Sequence, residues 1–496
     1  MSQLNHHDKL VISYPCWGEL YISTACQFSL PSFFAQGNIP ALVNQGLAIT
    51  FQFFTDDEGV YYFKRHEFYS TVIKYCDIEF VDINEMQSNK NLTNNEKLID
   101  CHNHSFIEAA KTQAILFPAC SDLIISNESL LYFYSLLSDG YRVVLNSPLR
   151  VSLNAVEERV SETLSVNNDG LTANYLSDLA IKNLHHSERA LLNDSEYFAA
   201  GWPGNQMWMK ENHSLIKRGI YLCPFFIRTQ IGESFGFASL DNSLYLNKFL
   251  KSWDRDVYIV QDTSHSVCVD FTDDDYHVVG IDHINDINDD EPPFEREKFV
   301  AAAMLVNPCQ PWHYKTLEYP IVYTLTGVLV DQRLLEQSND FIKNVDNWLV
   351  YFKEHSLLYK FTDNAINYQR DKRSTNFCHY AFDSNEIYVA VESYLKKLKL
   401  KGESVVLYGM GEWLKYINFN IDLSLYDVVL TDSNYALVES GFSDILCIPS
   451  TEIERYADNV LVVSIAFKNE ITHFLESSYR NLTISHLNHL RNSFEK

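Results

Sequence analysis

Asp122 stands just beyond the apolar run Ala114–Phe117, in the order AILFPACSDLIIS. A carboxylate just past the carboxyl end of a parallel strand lies in the crevice where open α/β sheets bind ligands. One carboxylate together with diphosphate oxygens can hold Mg2+ or Mn2+, hard cations that favour oxygen donors and keep several waters. Asp also caps turns and helices, so Asp122 has a plain structural alternative. Other residues fall at the ends of strand-like runs in the same way. Tyr14 and Pro15 close Lys9–Tyr14, Asp56 and Asp57 close Leu47–Thr55, and Asp262 follows Val257–Gln261. Arg150 follows Arg142–Asn146, and Asp241 lies in Ser239-Leu240-Asp241-Asn242. Asp56-Asp57-Glu58 reads equally well as a solvated turn. Trp202 and Trp208 occupy a loop-rich stretch, Gly201–Asn212, where indole faces can stack on sugars or simply form local core. His313 beside Trp312 has the usual structural alternative as well.

A second set lies near the C-terminus. Gly409-Met410-Gly411-Glu412-Trp413-Leu414 follows the run Ser404–Tyr408 and opens a helical pattern, as a dinucleotide fingerprint does. Leu414 replaces the third glycine, which removes the close helix–strand contact that glycine permits. Asp432 stands about 20 residues on, after Asp427–Thr431, where a ribose-binding acid sits. Gly409, Gly411 and Asp432 are therefore ligand candidates, with a structural or regulatory use as the alternative. His102-Asn103-His104 and His185-His186 lack the i, i+4 spacing of a helical metal site and read as surface. No G-x-S-x-G, Walker A or H-E-x-x-H motif occurs, which removes the common hydrolase, P-loop and zincin readings.

The elements that must position these residues alternate in type. Strands are expected at Lys9–Tyr14, Leu47–Thr55, Asp77–Ile83, Ala114–Phe117 and Arg142–Asn146. Helices are expected at Glu19–Phe34, Asn95–Thr112 and Asn127–Ser138. Alternation at this pace predicts a mainly parallel sheet covered on both faces. Less regular sequence follows, with helices at Leu153–Leu164 and Thr172–His185, strands at Gly219–Ile227 and Val257–Gln261, and an acidic loop at Asp273–Pro293. Asp331–Lys360 has helical spacing. Ser404–Tyr408, Asp427–Thr431, Asp444–Ile448 and Val460–Ile465 then read as four strands of a second α/β unit. The boundaries expected are 1–330, a helical connector 331–395, and 396–496.

Composition narrows the partners. The chain has 496 residues, 46% hydrophobic and 21% charged, with 14% aromatics; this is folded globular composition, enough for two or three domains. A formal net charge of −26 repels nucleic acid and anionic lipid over a Debye length of about 8 Å. A nucleotide still binds such a surface if a divalent cation bridges the two. The 10 cysteines form no C-x-x-C pair, so a zinc ribbon is unsupported. Neither a signal peptide nor an apolar run long enough to span a bilayer is apparent, and the sequence reads as cytoplasmic.

The segment Ala114–Val151 resembles the metal-binding region of GT-A glycosyltransferases, in which a strand ends in Asp-x-Asp before an apolar run, Ser-x-x-Ser/Thr-Leu and a helix. It is also similar to a group of uncharacterised bacterial GT-A-type proteins with the order strand–P-D–strand–(S/D)-x-S–helix–strand–P-x-(L/I)-R-V. The resemblance covers roughly residues 8 to 325 and takes in Gly37-Asn38-Ile39-Pro40. Asp122 falls on the second Asp, whereas Cys120 stands where the first would be. Cys cannot supply a hard oxygen ligand, so either another acid contributes or the metal site is lost. The resemblance implies that Ser13–Trp17, with Tyr14 and Pro15, and Asp56 or Asp57 meet the nucleotide. It also implies that Asp241 or Asp262 lines the acceptor cleft and that His313 joins the metal or diphosphate site. The C-terminal unit resembles small Rossmann-like modules appended to sugar-modifying and methyl-transferring enzymes.

The expected fold is therefore α/β: a GT-A-like, mixed, mainly parallel domain and a smaller Rossmann-like domain. The expected activity is transfer of a sugar from a nucleoside diphosphate to a glycan, lipid-linked or protein acceptor, as in polysaccharide biosynthesis, with Mn2+ or Mg2+. Arg150 and the cation would stabilise the leaving diphosphate, and Asp241 would act as base. Two alternatives stand beside it. One is a non-catalytic nucleotide- or sugar-binding protein without the metal site; the other is a nucleotide or S-adenosylmethionine site in the C-terminal unit. Homo-oligomerisation is open.

Overall fold

The computed structural model describes residues 9–87, 94–166, 169–199, 204–210, 214–220, 222–235, 244–274, 281–284, 295–306, 312–324, 330–355, 384–410, 414, 417–418, 421–442, 445–463 and 468–487. The protein is α/β throughout, and it divides into two compact units. One comprises Met1–Ser88, Leu92–Met304 and Pro311–Tyr351; the other comprises Asn89–Asn91, Leu305–Gln310 and Phe352–Lys496.

In the first unit the early strands are β1 (Lys9–Pro15), β2 (Ala48–Thr55), β3 (Asp77–Asp82) and β4 (Ile115–Pro118). Then come β5 (Leu123–Ile125), β6 (Val143–Asn146), β7 (Leu149–Ser152) and β8 (Tyr197–Ala199). The later strands are β9 (Asn205–Lys210), β10 (Ser214–Gly219), β11 (Cys223–Arg228) and β12 (Val257–Ile259). The set ends with β13 (Cys268–Thr272), β14 (Ile281–His283) and β15 (Ile321–Thr324). The main sheet has the order β12-β6-β11-β4-β1-β2-β3. All its pairs are parallel except those of β11, which runs antiparallel between β4 and β6.

Side chains alternate between the two faces of a strand, and the main sheet separates two cores accordingly. Val11, Leu116, Val143 and Leu145 join one core; Leu10, Ile12, Tyr14, Ile115, Phe117 and Val144 join the other. The second core is aromatic. Phe53 stacks on Phe63 at 4.4 Å, and Tyr14 packs against Phe51 and Phe53 at 5.1 and 5.7 Å. The expected helix Glu19–Phe34 is helical from Glu19 to Phe33, with a π-turn at Ala25–Ser29.

A small sheet, β5-β13-β7, lies in the same unit. Its β13 is antiparallel to β5 and parallel to β7, with Asp270 opposite Leu123 on one side and Arg150 on the other. β15-β10-β9 and β14-β8 complete the unit. Three expectations are corrected here. Gly201–Asn212 is not all loop, since it contains β9 with Trp208 buried at 5.3 Å from the Phe341 ring. The acidic stretch Asp273–Pro293 includes β14. His102 and His185 are buried rather than surface residues.

The second unit has four parallel strands, β16 (Val405–Tyr408), β17 (Val428–Thr431), β18 (Asn459–Val462) and β19 (Thr483–His486). Their order is β17-β16-β18-β19. The segment Asp444–Ile448, expected as a strand, instead makes isolated bridges, one of them beside β17 through Leu430 and Cys447. The fourth strand is β19, beyond the helix Lys468–Ser478. Among the described residues no helix is long and apolar enough to cross a membrane.

Candidate functional site

The turn that carries Asp122 is built by hydrogen bonds from three directions. Ala119 N donates to Ser13 O at 2.9 Å, tying the turn to the end of β1. Phe271 N donates to Asp122 O at 2.9 Å, tying it to β13. The segment after β5 is held by Asn38, whose Nδ2 donates to Ser32 O and Ser126 O and whose Oδ1 accepts from Leu130 N. Asn38 is fully buried, so each of those bonds replaces one to water. Gly37 sits against the same turn: a Cβ there would lie 2.6 Å from Glu128 Cγ and 2.8 Å from Glu128 N. The Gly37-Asn38 pair thus acts as a clamp on the segment that follows the acid.

Asp122 is brought beside a second carboxylate that the sequence reading did not single out. Asp270, at the centre of β13, interacts electrostatically with Asp122, and both interact with Arg150 on β7. Both acids keep partial exposure although protein surrounds them closely. Burial raises the Asp122 carboxyl above its ordinary range, opposed by its backbone hydrogen bond and by Arg150. Burial first, then the Asp122 charge, pushes Asp270 up to about 8. Two carboxylates that share a poorly solvated site cannot both ionise freely. Lys217 and Glu188 back this pair: both are buried, Lys217 Nζ donates to Pro148 O at 2.9 Å, and Glu188 Oε2 lies 3.4 Å away.

Cys120 stands among the same charges. Burial, followed by the charges of Asp122 and Asp270, pushes the Cys120 thiol far above its ordinary value. Those surroundings favour the neutral thiol. Asp270 is the acid that stands near Asp122 in this chain. The sign available in the sequence was an acid inside an otherwise apolar strand-like run, Val267-Cys268-Val269-Asp270-Phe271.

The remaining sequence-derived residues fall as follows. Tyr14 is wholly buried, its ring in the aromatic core, and it interacts electrostatically with Cys16 and Asp122. Pro15 is buried at the end of β1. The end of β1 and the Asp122 turn are therefore neighbours, though through side chains closed to solvent. Asp56 is the N-cap of helix Asp57–Arg65, its Oδ1 accepting from Gly59 N at 2.7 Å, and Asp57 is exposed in the first turn. Asp262 is exposed and accepts from Ser264 N at 2.8 Å and Ser264 Oγ at 2.9 Å. Asp241, Trp202 and Gly411 lie outside the described residues, as does the side chain of His313.

In the second unit Gly409 has φ +117°, a backbone that favours glycine. Asp432 Oδ2 accepts from Met410 N at 2.6 Å, and its Oδ1 accepts from Asn434 N at 2.8 Å. The acid expected to meet a ribose also braces the glycine turn. Among the described residues no three His, Cys, Asp or Glu side chains form a metal-binding group.

No protein-family model matches this sequence, and no curated protein matches it. Among solved structures, mouse xyloside xylosyltransferase 1 in its apo form is similar at 10% identity and a TM-score of 0.19. The match covers 28% of this chain and 52% of that one, so the chain spans about half the length of that structure.

Proposed function

We propose that the first unit binds a nucleoside-diphosphate sugar and transfers its glycosyl group to a hydroxyl acceptor. The observation that supports this is the pair Asp122 and Asp270 beside Arg150, partly open to solvent at the edge of an α/β core. The pair fits a divalent cation, because an ion of charge +2 offsets the burial that raises both carboxyls and the Asp122 charge that raises Asp270 further, and the donors are oxygens. Asp122 and Asp270 would hold Mn2+ or Mg2+. When bound, the ion supplies Lewis-acid stabilisation of phosphate oxygens. Arg150 has the planar, permanently charged fork that suits phosphate oxygens, and in this reading it balances charge developing on the diphosphate. Lys217 and Glu188 keep the site rigid from behind. Asp241 is assigned as the base on the acceptor hydroxyl.

The test is calorimetry with UDP and GDP, with Mn2+ and with EDTA, on the wild type and on Asp122→Asn and Asp270→Asn. Tighter binding with Mn2+ in the wild type, lost in both variants, supports the reading. Equal affinity with EDTA and Mn2+ refutes the cation site. For the second unit the capping of Met410 N by Asp432 favours a structural role for the glycine turn over a dinucleotide site.

A further inference from the structure

The parallel pair β7–β13 continues past the two acids. Asp270 pairs with Arg150, and Thr272 pairs with Ser152. Two residues along a strand is roughly 7 Å, and residues two apart share a face. One strand repeat beyond the acids there is a cavity of about 340 Å³, lined in part by Ser152, Asn183, Leu184, His186, Arg189 and Asp274. This is the lower end of the range for small-molecule pockets, room for one or two sugar-sized rings.

The polar groups of its wall are already oriented. Ser152 Oγ donates to Asp274 Oδ2 at 2.8 Å, which fixes that carboxylate as an acceptor. Asn183 Nδ2 donates to Leu179 O at 2.8 Å, which orients the amide and leaves it one N–H and its carbonyl oxygen for a ligand. Arg189 Nε donates to Leu184 O at 3.0 Å, anchoring the guanidinium by one of its five donors. The His186 ring centroid lies 3.9 Å from that of His185, which is buried and bonded to Ser187 Oγ and Asp273 O. The wall therefore combines an anchored cationic fork with an oriented carboxylate and an oriented amide, in a chain whose net charge is −26. A planar fork recognises a planar oxyanion bidentately, and carboxylate and amide oxygens recognise hydroxyls.

We propose that this cavity binds a carboxylate-bearing saccharide unit, with its carboxylate on Arg189 and its hydroxyls on Asp274 and Asn183. That the unit is the acceptor of transfer rests on the function proposed above; its binding does not. The probes are glucuronate, glucose and glucose 6-phosphate, titrated into the full-length protein by ligand-observed NMR, with UDP and Mn2+ titrated separately. Glucuronate is expected to bind at least about 10-fold more tightly than glucose. Arg189→Ala should erase that preference while leaving the UDP–Mn2+ affinity unchanged, and Arg189→Lys should retain part of it. Glucuronate no tighter than glucose, or a preference that survives Arg189→Ala, overturns the site. Glucose 6-phosphate binding as tightly as glucuronate overturns the carboxylate assignment. If UDP–Mn2+ fails to bind while glucuronate binding depends on Arg189, the subsite stands and the transfer reading falls.

Discussion

Each unit places an aspartate just beyond a strand, and the two acids have opposite fates. Asp432 in the second unit is bonded locally, accepting from Met410 N and Asn434 N, so it braces the glycine turn. Asp122 in the first unit is set beside another acid, with Arg150 near both. The first arrangement lowers the energy of the fold as it stands. The second raises it, since burial and like charge both disfavour ionisation. The same residue at the same kind of position is thus a structural cap in one unit and a member of an acid pair that resists ionisation in the other. A bound cation is what would let both acids of that pair ionise.

The largest expected effect is on ligand binding. Asp122→Ala or Asp270→Ala should weaken Mn2+-dependent nucleotide binding on the order of 100-fold, whereas Asp432→Asn should leave it within about 2-fold. Calorimetry on the three variants decides it. Comparable losses from all three would erase the contrast between the units.

Next comes the clamp that holds the Asp122 segment. Asn38→Ala leaves Ser32 O, Ser126 O and Leu130 N without their buried partner. A loss of about 3 kcal/mol is expected, read as a shift of the first unit's urea midpoint. A shift confined to the second unit's transition would refute the assignment.

A smaller effect distinguishes the units by pH. Burial lowers His102 to about 3, its Nδ1 lies 3.0 Å from Ser13 Oγ, and its Nε2 has no partner. Above the unfolded value of about 6.5 the ring is neutral in both states and costs nothing. As pH falls below that, the unfolded chain takes up a proton that the folded chain refuses, and stability is lost down to about 3. At pH 5 this amounts to about 2 kcal/mol. His102→Gln should flatten the first unit's stability between pH 7 and pH 5 by that amount. An unchanged slope would show that His102 is not buried in solution.

The smallest effect is at Asp432. Removing its charge weakens a hydrogen bond on a partly exposed turn, so Asp432→Asn should cost about 1 kcal/mol, seen in the second unit's thermal transition alone.

Much of this was legible in the sequence, for physical reasons. β1, β2 and β4 are apolar and rich in β-branched or aromatic residues, with breakers beyond them, and their expected limits hold to within a residue or two. Asp122 was legible because its position depends only on the strand before it. Asp270 was not, because its neighbour is set by a pairing between segments far apart in sequence, and β5, β7 and β13 are too short to show a period. His102 was missed for a related reason: it lies in a polar stretch, and only the packing of helix Asn94–Thr112 against β1 turns it inward. Asp56 was read as either ligand or turn, and the cap on Gly59 N uses its carboxylate.

The antiparallel insertion of β11 between β4 and β6 has a consequence for synthesis on the ribosome. β4 and β6 are made early but touch only through a strand that is translated later. The interval from Asn146 to Arg228 is about 80 residues, or roughly 4–16 s at the usual elongation rate. Through that time the apolar strand edges that β11 will join stay unpaired, and Asp270 has not yet emerged to meet Asp122. Chaperone dependence during this window, and recovery when translation is slowed after β11 rather than before it, would be the biological trace of that strand order.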